Sequence, residues 1–220
     1  MTVETIQTNA VVFDLDGTLV DTTPQVIKFW TELAKENNID PAQVLATSHG
    51  RRTIETLERW MPHLATVEHV MALEEKLASD KEGVVLLPGV MDLLNKIDPD
   101  DWTICTAGTF PMAIGRLNQF GIKAPPKMVT GDKLSFGKPH PEGYLLAAHY
   151  LNRDPKACVV FEDAPAGVQA AIAAGMTCIA CTTTHTYEQL KEAGATFIVE
   201  RLDRVHIEKS KEGHYTITIQ

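Results

Sequence analysis

Asp14 and Asp16 are the residues whose placement speaks first, because they close the apolar run Val11-Val12-Phe13 and lead into Gly17-Thr18. Side chains two apart on extended chain point to the same side, so both carboxylates can converge on one reacting group, and Gly17 lets backbone come close to it. One carboxylate can attack while the other handles protons, which is the division of labour that phosphoryl chemistry asks for. Three more segments follow later apolar runs: Thr106-Ala107-Gly108-Thr109, Gly137-Lys138-Pro139 and Phe161-Glu162-Asp163-Ala164-Pro165-Ala166-Gly167. Each is weak alone; in this order, at the ends of successive strand-like runs, they make a strong signal.

The elements that must hold these groups follow from hydrophobic spacing. Apolar runs at 102–106, 127–129, 158–161, 177–181 and 197–199 alternate with short helical patterns, which predicts an α/β fold with a parallel sheet. Gly121, Gly175 and Gly194 fall where helices should end. The segments 205–208 and 215–219 around Glu212-Gly213 predict a hairpin closing one edge of that sheet. Between the first strand and the rest, Thr23-Pro24 opens a helix carrying Val26, Trp30, Leu33 and Ala34 at helical spacing, and Asp40-Pro41 starts a shorter one. Ile54, Leu57 and Met61 mark a third, and Val67, Val70, Leu73 and Leu77 a fourth after Thr66. The expected organisation is a core of residues 1–21 and 87–220 with a helical cap, helical throughout, over 22–86. Ligands of open parallel sheets bind beyond the carboxyl ends of the strands, and an inserted lid there excludes water.

Composition narrows the partners. A chain of 220 residues, 44% hydrophobic, can bury a sizeable core. A net charge of -9 and a pI near 5.3 argue against non-specific nucleic-acid or anionic-membrane binding. No run reaches the roughly 18 apolar residues of a membrane span, and the polar start lacks the regions of a signal peptide, so a cytoplasmic setting is expected. Cys105, Cys158, Cys178 and Cys181 lie in or beside apolar runs and read as buried reduced thiols. A monomer is the default for one core with a mobile cap.

The four ordered motifs resemble those of the haloacid dehalogenase superfamily, in its magnesium-dependent phosphatase branch with a helical cap inserted after the first motif. The resemblance spans nearly the whole chain. Within that branch, Ser48-His49-Gly50-Arg51-Arg52-Thr53 and the run from Glu162 to Gly167 resemble the bacterial sugar and hexitol phosphatases and the yeast glycerol-3-phosphate and 2-deoxyglucose-6-phosphate phosphatases. It implies a Rossmann-like three-layer core, a Mg2+ cofactor and a small phosphorylated sugar or polyol as substrate.

The same residues support those roles physically. A phosphate monoester repels an incoming carboxylate, so attack by Asp14 calls for a cation, and Mg2+ prefers oxygen ligands. Asp14, the backbone carbonyl of Asp16 and Asp163 are the expected metal ligands, with Glu162 either a further ligand or a support for one. Asp16 is the expected acid and base, while the Thr106 hydroxyl, the Ala107 amide and Lys138 are expected on the phosphoryl group. His49, Gly50 and Arg51 of the cap are candidates for substrate contact, Trp30 and Phe29 for cap core, and Asp21 for either a supporting or a turn residue. A phosphotransferase of the beta-phosphoglucomutase type is the alternative. Those enzymes carry a histidine twelve residues after the nucleophile, and here that position is Val26. A dehalogenase, a phosphonatase and a non-catalytic sensor each fit less well, since the second aspartate is kept, the 48–52 loop has no lysine, and all four core groups are retained.

Overall fold

The computed structural model describes residues 3–220. Strands β1 (Glu4–Thr8), β2 (Ala10–Phe13) and β3 (Val20–Asp21) precede helices α1 (Thr23–Glu36), α2 (Pro41–Ser48), α3 (Thr53–Trp60) and α4 (Val67–Ser79). Then come β4 (Val85–Leu86), α5 (Val90–Leu94), β5 (Trp102–Ile104), α6 (Phe110–Gln119), α7 (Glu142–Leu151), β6 (Cys158–Glu162) and α8 (Pro165–Ala173). The chain ends with β7 (Thr177–Cys181), α9 (Tyr187–Glu192), β8 (Phe197–Val199), β9 (Val205–Lys209) and β10 (Tyr215–Ile219).

The central sheet is parallel, in the order β5-β2-β6-β7-β8. Alternation along each strand sends side chains to two different cores. Val11, Phe13, Val159, Phe161 and Ile179 pack with α5 and α6, whereas Ala10, Val12, Cys158, Val160 and Cys178 pack with α7 and α8. Both faces are covered, which is why these strands read as unbroken apolar runs. All four cysteines are unpaired and buried; burial pushes the Cys105 thiol up to about 12 and the Cys158 thiol up to about 11.

The sheet departs from expectation in two places. The terminal hairpin does not extend the parallel sheet: β9 and β10 join β1 in a separate antiparallel sheet, with Ile6 opposite Ile217. Its apolar face, Ile207, Tyr215 and Ile217, packs on the α5/α6 side of the core. Residues 127–129 form no strand, touching the sheet by a single bridge from Val129 to Cys105.

Helices α1 to α4 leave the sheet and enclose a third core of Trp30, Leu33, Ala34, Val44, Leu57, Met61 and Val70. Thr66 and Asp40 cap two of them through their side chains. The two chain connections to this helical layer are tied together where β3 pairs antiparallel with β4, Val20 opposite Leu86, so 85–86 is strand rather than helix. Asp21, the last residue of β3, accepts the Thr23 amide at 2.9 Å where the chain turns into α1. No helix among the described residues is long and apolar enough to cross a membrane.

Candidate active site

Strand β2 delivers Asp14 and Asp16 to the carboxyl end of the sheet. The Asp14 amide donates to Phe161 O and Phe13 O accepts from Cys105, each at 2.9 Å, so the neighbouring strands fix the exit of β2. Gly17 then turns with φ +90°, and a Cβ there would stand 2.2 Å from Asp163 Oδ2. Only glycine meets both demands.

Four buried groups converge at this point. Lys138 Nζ donates to Asp14 Oδ1 at 2.5 Å and to Glu162 Oε1 at 2.6 Å. Tyr144, buried on α7, donates its hydroxyl to the same Glu162 oxygen at 2.7 Å, and the amides of Asp163 and Ala164 occupy Oε2 at 2.9 and 3.1 Å. Glu162 is thus held on both oxygens, and it holds Lys138. Gly167 makes room for it: a Cβ there would lie 1.7 Å from Oε1.

Carboxylate oxygens of Asp14, Glu162 and Asp163 lie within 4.8 Å of one another, and Lys138 is the ammonium paired with Asp14 and Glu162. Three buried carboxylates against one ammonium leave negative charge that a low-dielectric site tolerates poorly. A hard divalent cation fits that donor set and that deficit. Burial pushes the Asp14 carboxyl well above the ordinary carboxylate range; Lys138 pulls it down, while Glu162 and Asp163 push it further up. For Asp163, burial is outweighed by His49, Thr184 and Lys138, which hold its carboxyl low. Burial alone would lower the Lys138 ammonium, but Asp14 and Glu162 drive it well above its usual value.

Asp16 faces elsewhere. Its side chain is outside the acidic group, and burial raises its carboxyl against the pull of the Arg116 guanidinium. A carboxyl raised in this way holds its proton more readily, which suits an acid that gives one up and takes one back.

The segment after β5 supplies an anion cradle. The Thr106 amide is tied to Val129 O at 3.0 Å, and its hydroxyl oxygen accepts the Gly108 amide at 3.1 Å, leaving the hydroxyl proton to donate. Thr106, Ala107 and Gly108 line a cavity of about 80 Å3 with Asp14 and Asp16, just ahead of the N-terminus of α6.

The helical layer closes this cavity from above. His49 Nε2 stands 3.3 Å from Asp163 Oδ2, and Gly50, at φ +71°, would bring a Cβ to 2.9 Å from Ala164. Arg51 is exposed at the cavity wall, where Val26, Phe29 and Trp30 also contribute. Phe29 and Trp30 therefore serve as wall as well as cap packing. Arg52 is the firmer anchor, donating to the carbonyls of Leu134 at 2.6 Å, Ser135 at 3.0 Å and Gly131 at 3.4 Å. Glu55 completes the clasp by accepting the Gly137 amide at 2.8 Å.

Several groups in the site were not singled out by the sequence. Thr184 donates to Asp163 Oδ2, and His185 stacks edge-on with His49 at 5.5 Å. Glu74 and Arg116 do carry a signal: each is a charge on the buried stripe of its helix, Glu74 with Val70 on α4 and Arg116 with Ala113 and Leu117 on α6. Tyr144 and the Thr184-His185 turn carry none.

Known proteins match this chain over most of its length. The chain is 36% identical to hexitol phosphatase A of Escherichia coli over 93% of its own length and 96% of the relative's. It is 35% identical to 2-deoxyglucose-6-phosphate phosphatase 1 of Saccharomyces cerevisiae, covering 94% and 93% of the two chains, and 34% identical to glycerol-1-phosphate phosphohydrolase 2 of the same yeast, covering 92% and 86%. Among solved structures, a hydrolase from Pseudomonas syringae superposes with a TM-score of 0.75 at 28% identity, covering 89% of this chain and 94% of that one. A beta-phosphoglucomutase from Clostridium difficile gives 0.71 at 26%, covering 89% and 92%. The family description "haloacid dehalogenase-like hydrolase" matches residues 8–175, and the chain belongs to that family.

Proposed function

We propose that this chain is a Mg2+-dependent phosphatase that releases inorganic phosphate from monoesters of small sugars and polyols. The observation that carries the reading is the buried Lys138 bridge between Asp14 and Glu162, beside Asp163 and facing the Thr106 cradle. Relatives named for hexitol, 2-deoxyglucose-6-phosphate and glycerol-1-phosphate support the substrate class.

Each residue has a defined task. Asp14 Oδ attacks phosphorus, the ester P–O bond breaks, and Asp16 gives its proton to the departing alkoxide. Water then attacks the aspartyl-phosphate and yields its proton to Asp16, restoring both residues. Thr106 and the Ala107 amide bind phosphoryl oxygens, and Lys138 offsets charge building on the phosphoryl group. Asp14, Asp163 and the Asp16 carbonyl would hold Mg2+, with Glu162 positioning Lys138 beside them; the ion neutralises the repulsion between nucleophile and phosphate. Residues 1–21 and 87–220 form the catalytic core in this reading, and 22–86 form the cap, whose His49, Gly50 and Arg51 meet the leaving group.

The phosphotransferase alternative has a relative in fold, but Val26 on α1 presents an apolar wall to the cavity where a proton carrier would be needed. Phosphate release from a panel of hexitol, hexose, pentose and glycerol phosphates, with and without a chelator, tests the proposal. Metal-dependent release is expected; no turnover in the presence of Mg2+ would overturn it, and isomerised product without net phosphate release would favour the alternative.

A further inference from the structure

Beyond the cavity over Asp14 lies a second, larger one of about 300 Å3, between α3 and α4 on one side and the 131–134 loop on the other. Thr53, Glu74 and Ala107 line both. The first, at about 80 Å3, is small against the ~300–1,000 Å3 of ordinary small-molecule sites. It suits a phosphoryl group and the first carbons of an ester, and a longer leaving group has to continue past the shared residues into the second chamber. Of its walls, Ile54 and Met71 suit carbon chain, while Glu58 and Asp132 offer acceptors to hydroxyls.

Glu74 stands in the passage between the two cavities. It is 2% exposed, and its Oε2 accepts the Thr109 amide at 2.6 Å, directly after the phosphate cradle. No backbone amide among the described residues donates to its Oε1, and the Thr53 hydroxyl stands beside the carboxyl. A carboxylate beside a phosphate site is the wrong charge for phosphate and the right acceptor for neutral hydroxyl donors. Burial raises its carboxyl against the pull of the Thr53 and Thr109 hydrogen bonds, so donors from a ligand would favour the charged form.

We propose that Glu74 accepts hydrogen bonds from hydroxyls of an extended polyol or open-chain sugar phosphate of four or more carbons, whose far end occupies the chamber between α3, α4 and the 131–134 loop. This rests on the phosphatase reading and adds to it a preference by chain length and hydroxylation.

Glu74→Gln keeps an acceptor for the Thr109 amide while removing the charge. The ratio of kcat/KM for hexitol phosphate to that for n-hexyl phosphate should fall about ten-fold, mainly through KM, with the melting temperature held. Met71→Trp fills the second chamber and should lower the ratio for hexitol phosphate over glycerol phosphate by a similar factor. If Glu74→Gln leaves its ratio unchanged, or Met71→Trp slows every chain length in proportion, Glu74 only docks the cap on α6 and the inference is overturned. Full turnover by the unmodified chain with unchanged ratios removes this inference alone, whereas no phosphate release from any polyol or sugar phosphate removes the phosphatase reading with it.

Discussion

Around Lys138 the buried charges of Asp14 and Glu162 are met by partners within the core; along the seam between the helical layer and the core, several buried polar atoms have no protein partner. Lys138, Glu162 and Tyr144 close a network in which Glu162 uses both oxygens. On the seam, Asp16 Oδ1, Thr22 Oγ1, Ser48 Oγ, Thr109 Oγ1 and Arg116 Nε have no protein hydrogen-bond partner. Each such atom costs about 1–3 kcal/mol if sealed from water, so the seam is a poor permanent interface. A few long-reaching contacts hold it, chiefly Arg52 on three carbonyls and Glu55 on the Gly137 amide. The core site is closely paired and the seam is not, which is the contrast the proposed cap, as a lid over a reaction, would require.

The largest expected effect tests the core half of that contrast. Asp14→Asn should reduce phosphate release by at least about 10^4-fold, since losing a nucleophile removes the covalent route and not just a contact. Retention of substantial turnover by this variant would show that the network around Lys138 is structural. Gly167→Ala comes next: the added methyl must displace Glu162, and Lys138 loses its second anchor. A fall of about 10^2-fold in kcat is expected, with circular dichroism confirming that the sheet persists.

How much was legible in the sequence divides along the same line. The runs at β2, β5, β6, β7 and β8 announced themselves because burial on both faces makes a strand uniformly apolar, and Asp14, Asp16, Thr106 and Asp163 drew attention because each follows such a run within a few residues, whereas Lys138 follows only the 127–129 run. β1 escaped because Ile6 is its one apolar residue, and the hairpin was assigned to the wrong sheet for want of that partner. Residues 127–129 look like a strand but pair with the sheet at one isolated bridge, Val129 beside Cys105. At the seam, Arg52, Glu74 and Arg116 act on groups dozens of positions away, and nothing local says which core carbonyl or amide a cap side chain will meet. Arg51 was the candidate and Arg52 its neighbour in the same motif, and only packing separates the exposed one from the clasp.

The seam half is tested by opening it. Arg52→Ala removes the contacts to Gly131, Leu134 and Ser135, and about a ten-fold loss in kcat/KM is expected because cap closure no longer assembles the site. Amide hydrogen exchange should rise at Gly137 and along 48–55 while strands β2 and β6 stay protected. Equal loosening of both regions would erase the distinction between a fixed core and a separable seam.

The smallest effect probes a second paired network in the core, far from the seam. Asp101 accepts from Arg153 and Tyr215 at 2.9 Å each and from Lys209 at 3.0 Å, tying β10 and β9 to the start of β5. Burial alone would raise its carboxyl, and the hydrogen bonds from Lys209 and Tyr215 more than reverse this, leaving it below the usual carboxylate range. A carboxyl depressed on folding stabilises the native state above its unfolded pKa of about 3.9 and loses that contribution as pH falls through the folded value. Lys209 is partly open to solvent, which weakens the pair by screening. Asp101→Asn should therefore melt a few degrees lower than the unmodified chain at pH 7, with the gap closing as pH falls below about 4. The cap should be indifferent to this change, so a shift in KM would mean that the core and the seam are coupled through the sheet.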